Sequence, residues 1–394
     1  MKTRTIFLVI LTSAGTTWAA DPFHKAEFVF PLHNSHNHAP GIVECPSGDL
    51  LVSWYRGSGE RRSDDVAVYG ARKARNNHTW GAAFLMADTP GFPDCNTCMM
   101  VDQRERLWLF WPVIIANSWE SCLTHYKVAD NPGTADDSCP SWGHSGTILL
   151  KPEDFEADGL RVLDAQLEGA PQAYLKSHSE GLDRLRQRLG EKLYQRLGWQ
   201  PRCKPTVLPS GRILLPLYSD TYSISIIAVS DDDGKSWYAS KPLFGFGNIQ
   251  PALLRRNDGS LVAYMRENGV TERVRVCESR DDGISWTVAG VSELSNPGSG
   301  LDGVRLKNGR WLLVYNDTTE GRSSLAVSVS DDEGASWRWT RHLENHESGQ
   351  YHYPAVIQSR DNRIHVVYSY FVTGGKTMKH VVINEDWVLQ GDKQ

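Results

Sequence analysis

The chain has no excess of positive charge: 42 Lys and Arg stand against 47 Asp and Glu, for a formal net charge of −5. That removes the electrostatic basis for binding nucleic acid or an anionic membrane surface. Long apolar runs are missing too. The best candidate, Ile6–Leu11 within MKTRTIFLVILTSAGTTWAA, is too short to span a bilayer. With Lys2 and Arg4 before it and small residues around Ala19 and Ala20 after it, residues 1–20 read as a secretory signal peptide. A secreted or periplasmic protein with no membrane anchor is the expectation. Cysteine is sparse, at seven residues. Export permits disulfides, but the pairing is not readable, and an odd count leaves at least one thiol or an intermolecular bond. Cys95 and Cys98 form a CxxC that has no second CxxC to complete a zinc site. In HNSHNH, His33 precedes His36 and His38, which would share a strand face; no third protein ligand follows by spacing. No metal and no cofactor is expected, and His38 reads better as a substrate-binding or acid–base group.

What the chain does have is repetition. SDDDGKSW (230–237) returns as SRDDGISW (279–286) and SDDEGASW (330–337), about fifty residues apart. These runs are not calcium loops, because each stops at a Trp with no closing acid. Ser, Asp, Gly and Trp at fixed offsets suit a hairpin turn in which Asp accepts backbone N–H groups, Gly supplies positive φ and Trp packs beneath. Worn copies end at Trp80 and Trp142. A second repeat, a polar turn followed by a short apolar run, recurs at 46–55, 103–112, 209–218, 257–266, 307–316 and 360–369. Each reads as a turn and a buried strand. Periods of about forty to fifty residues in a strand-rich chain predict propeller blades. The expectation is an all-β, six-bladed β-propeller over 21–394, with Asp-box turns on its outer rim. Its last blade should draw on both chain ends, which removes an exposed edge. The doubled interval between Leu107 and Ile213 must hold an insertion, about 151–200. Within it, Leu182, Leu185, Leu189, Leu193 and Leu197 fall at helical spacing, predicting one amphipathic helix near 178–198.

The S-x-D-x-G-x-x-W boxes on an exported, propeller-like chain resemble the sialidase (neuraminidase) superfamily of BNR/Asp-box proteins, over roughly 30–385. The resemblance implies an exo-glycosidase acting on a terminal acidic sugar, sialic acid or a related one. It implies arginines on the substrate carboxylate, a tyrosine nucleophile with a glutamate partner, and an aspartate acid/base. Guanidinium suits a carboxylate because it binds it bidentately. A neutral tyrosine avoids charge repulsion at an anomeric carbon that already bears a carboxylate. Carried over residue by residue, ERRSDDVAVYGARK makes Asp64 or Asp65 the acid/base. Arg266 in YMREN and Arg322 in TTEGRSS take two arginine places. SGQYHYPAV makes Tyr351 the nucleophile, with Tyr353 on the same strand face among the substrate-binding residues. This sequence departs from the pattern twice. His38 in HAPGIV stands where an Arg-Ile-Pro run normally supplies the first arginine, and Gln250 in GNIQPAL stands where the tyrosine's glutamate belongs. Asp302 and Glu267 are the available substitutes for that acid. A uronate lyase on the same propeller, with His38 or Tyr351 as base, and a non-catalytic glycan-binding propeller remain open alternatives. All three imply a glycan or acidic oligosaccharide partner.

Overall fold

A computed structural model describes residues 21–133 and 139–392; residues 1–20, and with them the signal peptide reading, lie outside it, as does part of the loop before Trp142. Six small antiparallel sheets follow one another in a ring, a six-bladed propeller. Blade 1 runs His36–Glu44, Leu50–Gly57, Ala67–Lys73 and Phe84–Ala87, from the centre outward. Blade 2 begins at Cys98–Val101, blade 3 at Gln200–Pro201, blade 4 at Asn248–Arg255 and blade 5 at Asp302–Arg305. Blade 6 takes Gln350–Gln358, Ile364–Val372 and Gly375–Ile383, and its outermost strand is the N-terminal His24–Phe28, paired antiparallel to Gly375–Ile383. The ring is therefore closed by both ends of the chain, and no blade is left with a strand short.

The polar-turn repeats are the hairpins between the first and second strands of each blade. Their second strands, such as Leu107–Ile114 and Trp311–Tyr315, are buried along their whole length because a blade is covered on both faces by its neighbours. The three Asp boxes follow the third strands. In each, the Asp accepts from the box's first Ser and from the backbone and hydroxyl of its second: Asp232 from Ser230 and Ser236, Asp281 from Ser279 and Ser285, Asp332 from Ser330 and Ser336. The box Trp leans on the preceding blade. Trp237 meets Phe110 at 6.1 Å and Trp337 meets Tyr264 at 5.6 Å between ring centroids. The boxes clamp blade to blade.

The insertion before blade 3 differs from the single helix its leucines predict. It holds helices Phe155–Leu167, Gln172–Ser177, Ser179–Gly190 and Lys192–Arg196. The leucine stripe is broken at Gly190, so Leu189 is fully buried whereas Leu193, beyond the break, is exposed. Phe155, Val162 and Leu189 pack with Tyr222 and Phe244 on blade 3. All seven cysteines are free thiols, and Cys95 and Cys98 are both buried in blade 2.

Candidate active site

Two positions of the repeat, counted from the hairpin turn, supply half of the residues that line the central cavity. The turn residues Gly48, Glu105, Gly211, Gly259, Gly309 and Asn362 all have positive φ. Seven residues after them stand Tyr55, Pro112, Tyr218, Arg266, Asn316 and Ser369; nine before them stand Ala39, Asn96, Arg202, Gln250, Gly300 and Tyr353. Tyr55, Tyr218 and Arg266 of the first set and Asn96 and Tyr353 of the second line the central cavity. In the innermost strands of blades 1, 4 and 6 the register shifts at Ala39-Pro40, Gln250-Pro251 and Tyr353-Pro354. Proline lacks the N–H that would continue the ladder, and the residue before it takes φ of 53°, 59° and 55° respectively. Such strained bulges turn a side chain off its strand face and into the axis.

That bulge moves the tyrosine. Tyr351 and Tyr353 do not share a face, contrary to the sequence expectation. Tyr351 lies in the apolar core between blades 5 and 6 and packs on Tyr370 at 5.3 Å. Burial pushes its phenol up to about 12. Tyr353 instead faces a cavity of about 240 Å³, which Arg266, Arg322 and His38 also line. Arg266 donates to the Tyr353 hydroxyl at 2.7 Å and Gln250 Nε2 lies 3.3 Å from it. Three guanidiniums surround the ring, those of Arg202, Arg322 and Arg266 lying 5.0, 5.7 and 6.0 Å from its centroid. Arg202, which the sequence reading missed, is buried under the tyrosine and donates to Pro354 O at 2.8 Å.

Asp64 and Asp65 do not line the cavity. Asp65 closes its own loop, accepting from Ser58 N at 3.0 Å and from the Ser58 hydroxyl at 2.7 Å, while Asp64 accepts from Asn117. The loop they brace carries Glu60, and Glu60 does line the cavity. Tyr55 donates to Glu60 Oε1 at 2.9 Å, and His36 Nε2 is 3.2 Å from the same oxygen. Burial alone would raise its pKa, but these two hydrogen bonds outweigh burial and hold Glu60 below the usual carboxylate range. Asp220, from blade 3, also lines the cavity and is pushed up by burial despite Arg266 nearby. It accepts from Gln200 Nε2 at 2.9 Å, and Asn96 bridges Gln200 to the Tyr218 hydroxyl. His38 is neutral: burial, then His352 and His36, drive its pKa well down. Its Nδ1 pairs with Ser369 Oγ at 2.8 Å, and its ring lies 4.3 Å from that of Tyr353.

Neither substitute acid reaches Tyr353. Asp302 is bound to Lys204 at 2.8 Å and to Val356 N, and Glu267 is held by Arg275, Gly269 and Thr271. The residues missed in sequence (Glu60, Trp119, Tyr55, Asn96, Tyr218, Asp220) follow two signals. Tyr55, Tyr218 and Asn96 occupy the repeat positions already noted, and the others sit on loops leading from second to third strands.

The comparisons with known proteins fit this geometry. A family model described as a BNR repeat-like domain matches residues 196–366. The chain is thus a six-bladed propeller that carries a BNR repeat-like region over less than half of its length. An anhydrosialidase of the leech Macrobdella decora is 23% identical over 199 residues, which are 44% of this chain and 25% of that protein. The match thus spans about a quarter of the relative's length. Among solved structures, a Dyadobacter fermentans protein of unknown function superposes with TM-score 0.68 at 14% identity, covering 91% of this chain and 97% of that one. The NanB sialidase of Streptococcus pneumoniae gives 0.68 at 12%, covering 92% and 71%, and the intramolecular trans-sialidase of Ruminococcus gnavus 0.66 at 12%, covering 90% and 96%. At such identities the structural likeness is one of fold.

Proposed function

We propose that this BNR propeller is an exported exo-glycosidase that removes a terminal acidic sugar from a glycan. One observation carries the reading: Arg266, Arg322 and Tyr353 converge in a single polar cavity, with Arg266 bonded to the phenol. The two guanidiniums hold the sugar's carboxylate, and Tyr353 faces the anomeric carbon as nucleophile. Burial favours a protonated Asp220, which suits a donor to the leaving oxygen. Glu60, kept ionised, suits a proton acceptor. Two carboxylates pushed in opposite directions divide the acid and base work between them. Gln250 is the weak point of this machinery. Its amide can share a hydrogen bond with the phenol but cannot take its proton.

A second reading, proton abstraction by a uronate lyase, is favoured by the neutral His38 imidazole packed against Tyr353. The test is to incubate purified protein with sialosides and with uronic-acid oligosaccharides. Free acidic monosaccharide supports the hydrolase. The ultraviolet absorbance of an unsaturated uronate would replace it with the lyase, and binding without product would leave a glycan-binding module. Mass analysis of the exported protein's first residue tests the export reading, which expects cleavage near Ala19–Ala20.

A further inference from the structure

Resting on the reading of this cavity as an acidic-sugar site, we infer that it selects a sugar whose ring carries hydroxyls where N-acylated acidic sugars carry an amide. The walls say so by their chemistry. Beyond the arginines, the cavity offers hydroxyls of Tyr55 and Tyr218, the Asn96 amide and the carboxylates of Glu60 and Asp220, so that nearly all of its free surface is oxygen or nitrogen. These groups are tied to one another and to buried partners. Tyr55 is fixed by Glu60, and Tyr218 by Asn96, which is itself fixed by Gln200. A wall held this way does not rearrange to present carbon.

An N-acyl group makes the opposite demand. Its methyl needs an apolar patch, and its amide needs a donor and an acceptor in fixed places. Trp119 is the one apolar side chain among those lining the cavity, and one face of its ring is taken by the Arg61 guanidinium, 5.1 Å from the centroid. A methyl pressed among Glu60, Asp220 and Asn96 would strip water from groups it cannot pair with. A hydroxyl at the same ring position would instead donate to Glu60 or Asp220 and accept from the Tyr218 hydroxyl, whose own oxygen is already taken by Asn96. The second arrangement satisfies the wall.

The experiment uses a matched pair of 4-methylumbelliferyl ketosides, one of N-acetylneuraminic acid and one of its analogue with a hydroxyl in place of the acetamido group. The analogue should be cleaved with kcat/KM at least about tenfold higher, the scale on which a pocket discriminates one such group. Equal or better cleavage of the N-acetyl compound overturns the inference. If neither is cleaved, the glycosidase reading falls by itself, and calorimetric titration with the two free acids decides the selectivity. Binding of the hydroxyl acid at least about tenfold tighter sustains it; equal or reversed affinity, or no binding of either, sinks it.

Discussion

Tyr353 and Gln250 occupy the same place in two repeats, nine residues before a hairpin turn and immediately before a proline. The repeat therefore fixes where their side chains go, and the residue type decides what happens there. Tyr353→Phe removes one oxygen and should lower turnover by about a hundredfold or more, with little change in binding. A variant as active as the parent would end the nucleophile assignment. Arg322→Ala should act mainly on KM, raising it by roughly tenfold to a hundredfold, since a charge-assisted hydrogen bond to a carboxylate contributes about 1.5–3 kcal/mol. Gln250→Glu places a base against the phenol and should raise glycosidase turnover; in a lyase it would repel the substrate carboxylate and depress it. The pH profile follows from the two carboxylates. Activity should fall at the alkaline side as Asp220 deprotonates above its raised pKa, and at the acid side as Glu60 protonates below its lowered one. Asp220→Asn should remove the alkaline limb together with most of the rate. Arg266 and Arg322 were legible in the sequence from their places at a strand end and in a loop, whereas Arg202, buried beneath Tyr353, was not. The resemblance makes Tyr351 the nucleophile, and two-residue alternation puts Tyr353 on the same face; the bulge at Tyr353-Pro354, a three-dimensional consequence of the missing proline N–H, separates the two.

At the scale of the element, the Asp box is a hairpin clamp whose glycine is required by position. Gly234 has φ of 81°, and a Cβ there would lie 2.2 Å from the Trp108 ring of the preceding blade. Gly234→Ala should cost about 2–4 kcal/mol, from the left-handed backbone and the overpacked contact together. Denaturant unfolding measures it, and a loss under about 0.5 kcal/mol would mean that the loop simply slides off Trp108. The boxes and second strands were legible because one sequence unit makes one structural unit. The insertion was not, because a leucine stripe reports a helical face without saying where the helix stops. Gly190 stops it, and Leu197 then lies on a different segment.

At the scale of the molecule, closure concentrates on Glu27. This residue of the N-terminal strand reaches His380 at 3.1 Å on blade 6 and also pairs with Lys73 on blade 1. It ties the first strand to both blades at the seam. Burial works against its charge, but the bonds to His380 and Lys73 win and hold its pKa at about 2. A carboxylate depressed in the folded state contributes stability above its unfolded pKa, about 4.5, and loses that contribution as pH falls towards 2. His342 works in the reverse direction near the other chain end. Hydrogen bonds that its ring donates to Asp317 and Asp392 raise its pKa to about 9. Its contribution is complete below about 6.5 and is lost as pH rises through about 9. The two substitutions should therefore leave opposite signatures in Tm measured against pH. Glu27→Gln should lower Tm near neutrality, with the gap to the parent closing as both are acidified below 4.5. His342→Gln should lower Tm at pH 6, with the gap closing towards pH 9 and beyond. Proteolysis locates the first effect, because a loosened seam exposes the N-terminal strand before the rest of blade 6. A Glu27→Gln protein as resistant as the parent at neutral pH, with an unchanged Tm, would show that the backbone pairing of His24–Phe28 closes the ring without its carboxylate.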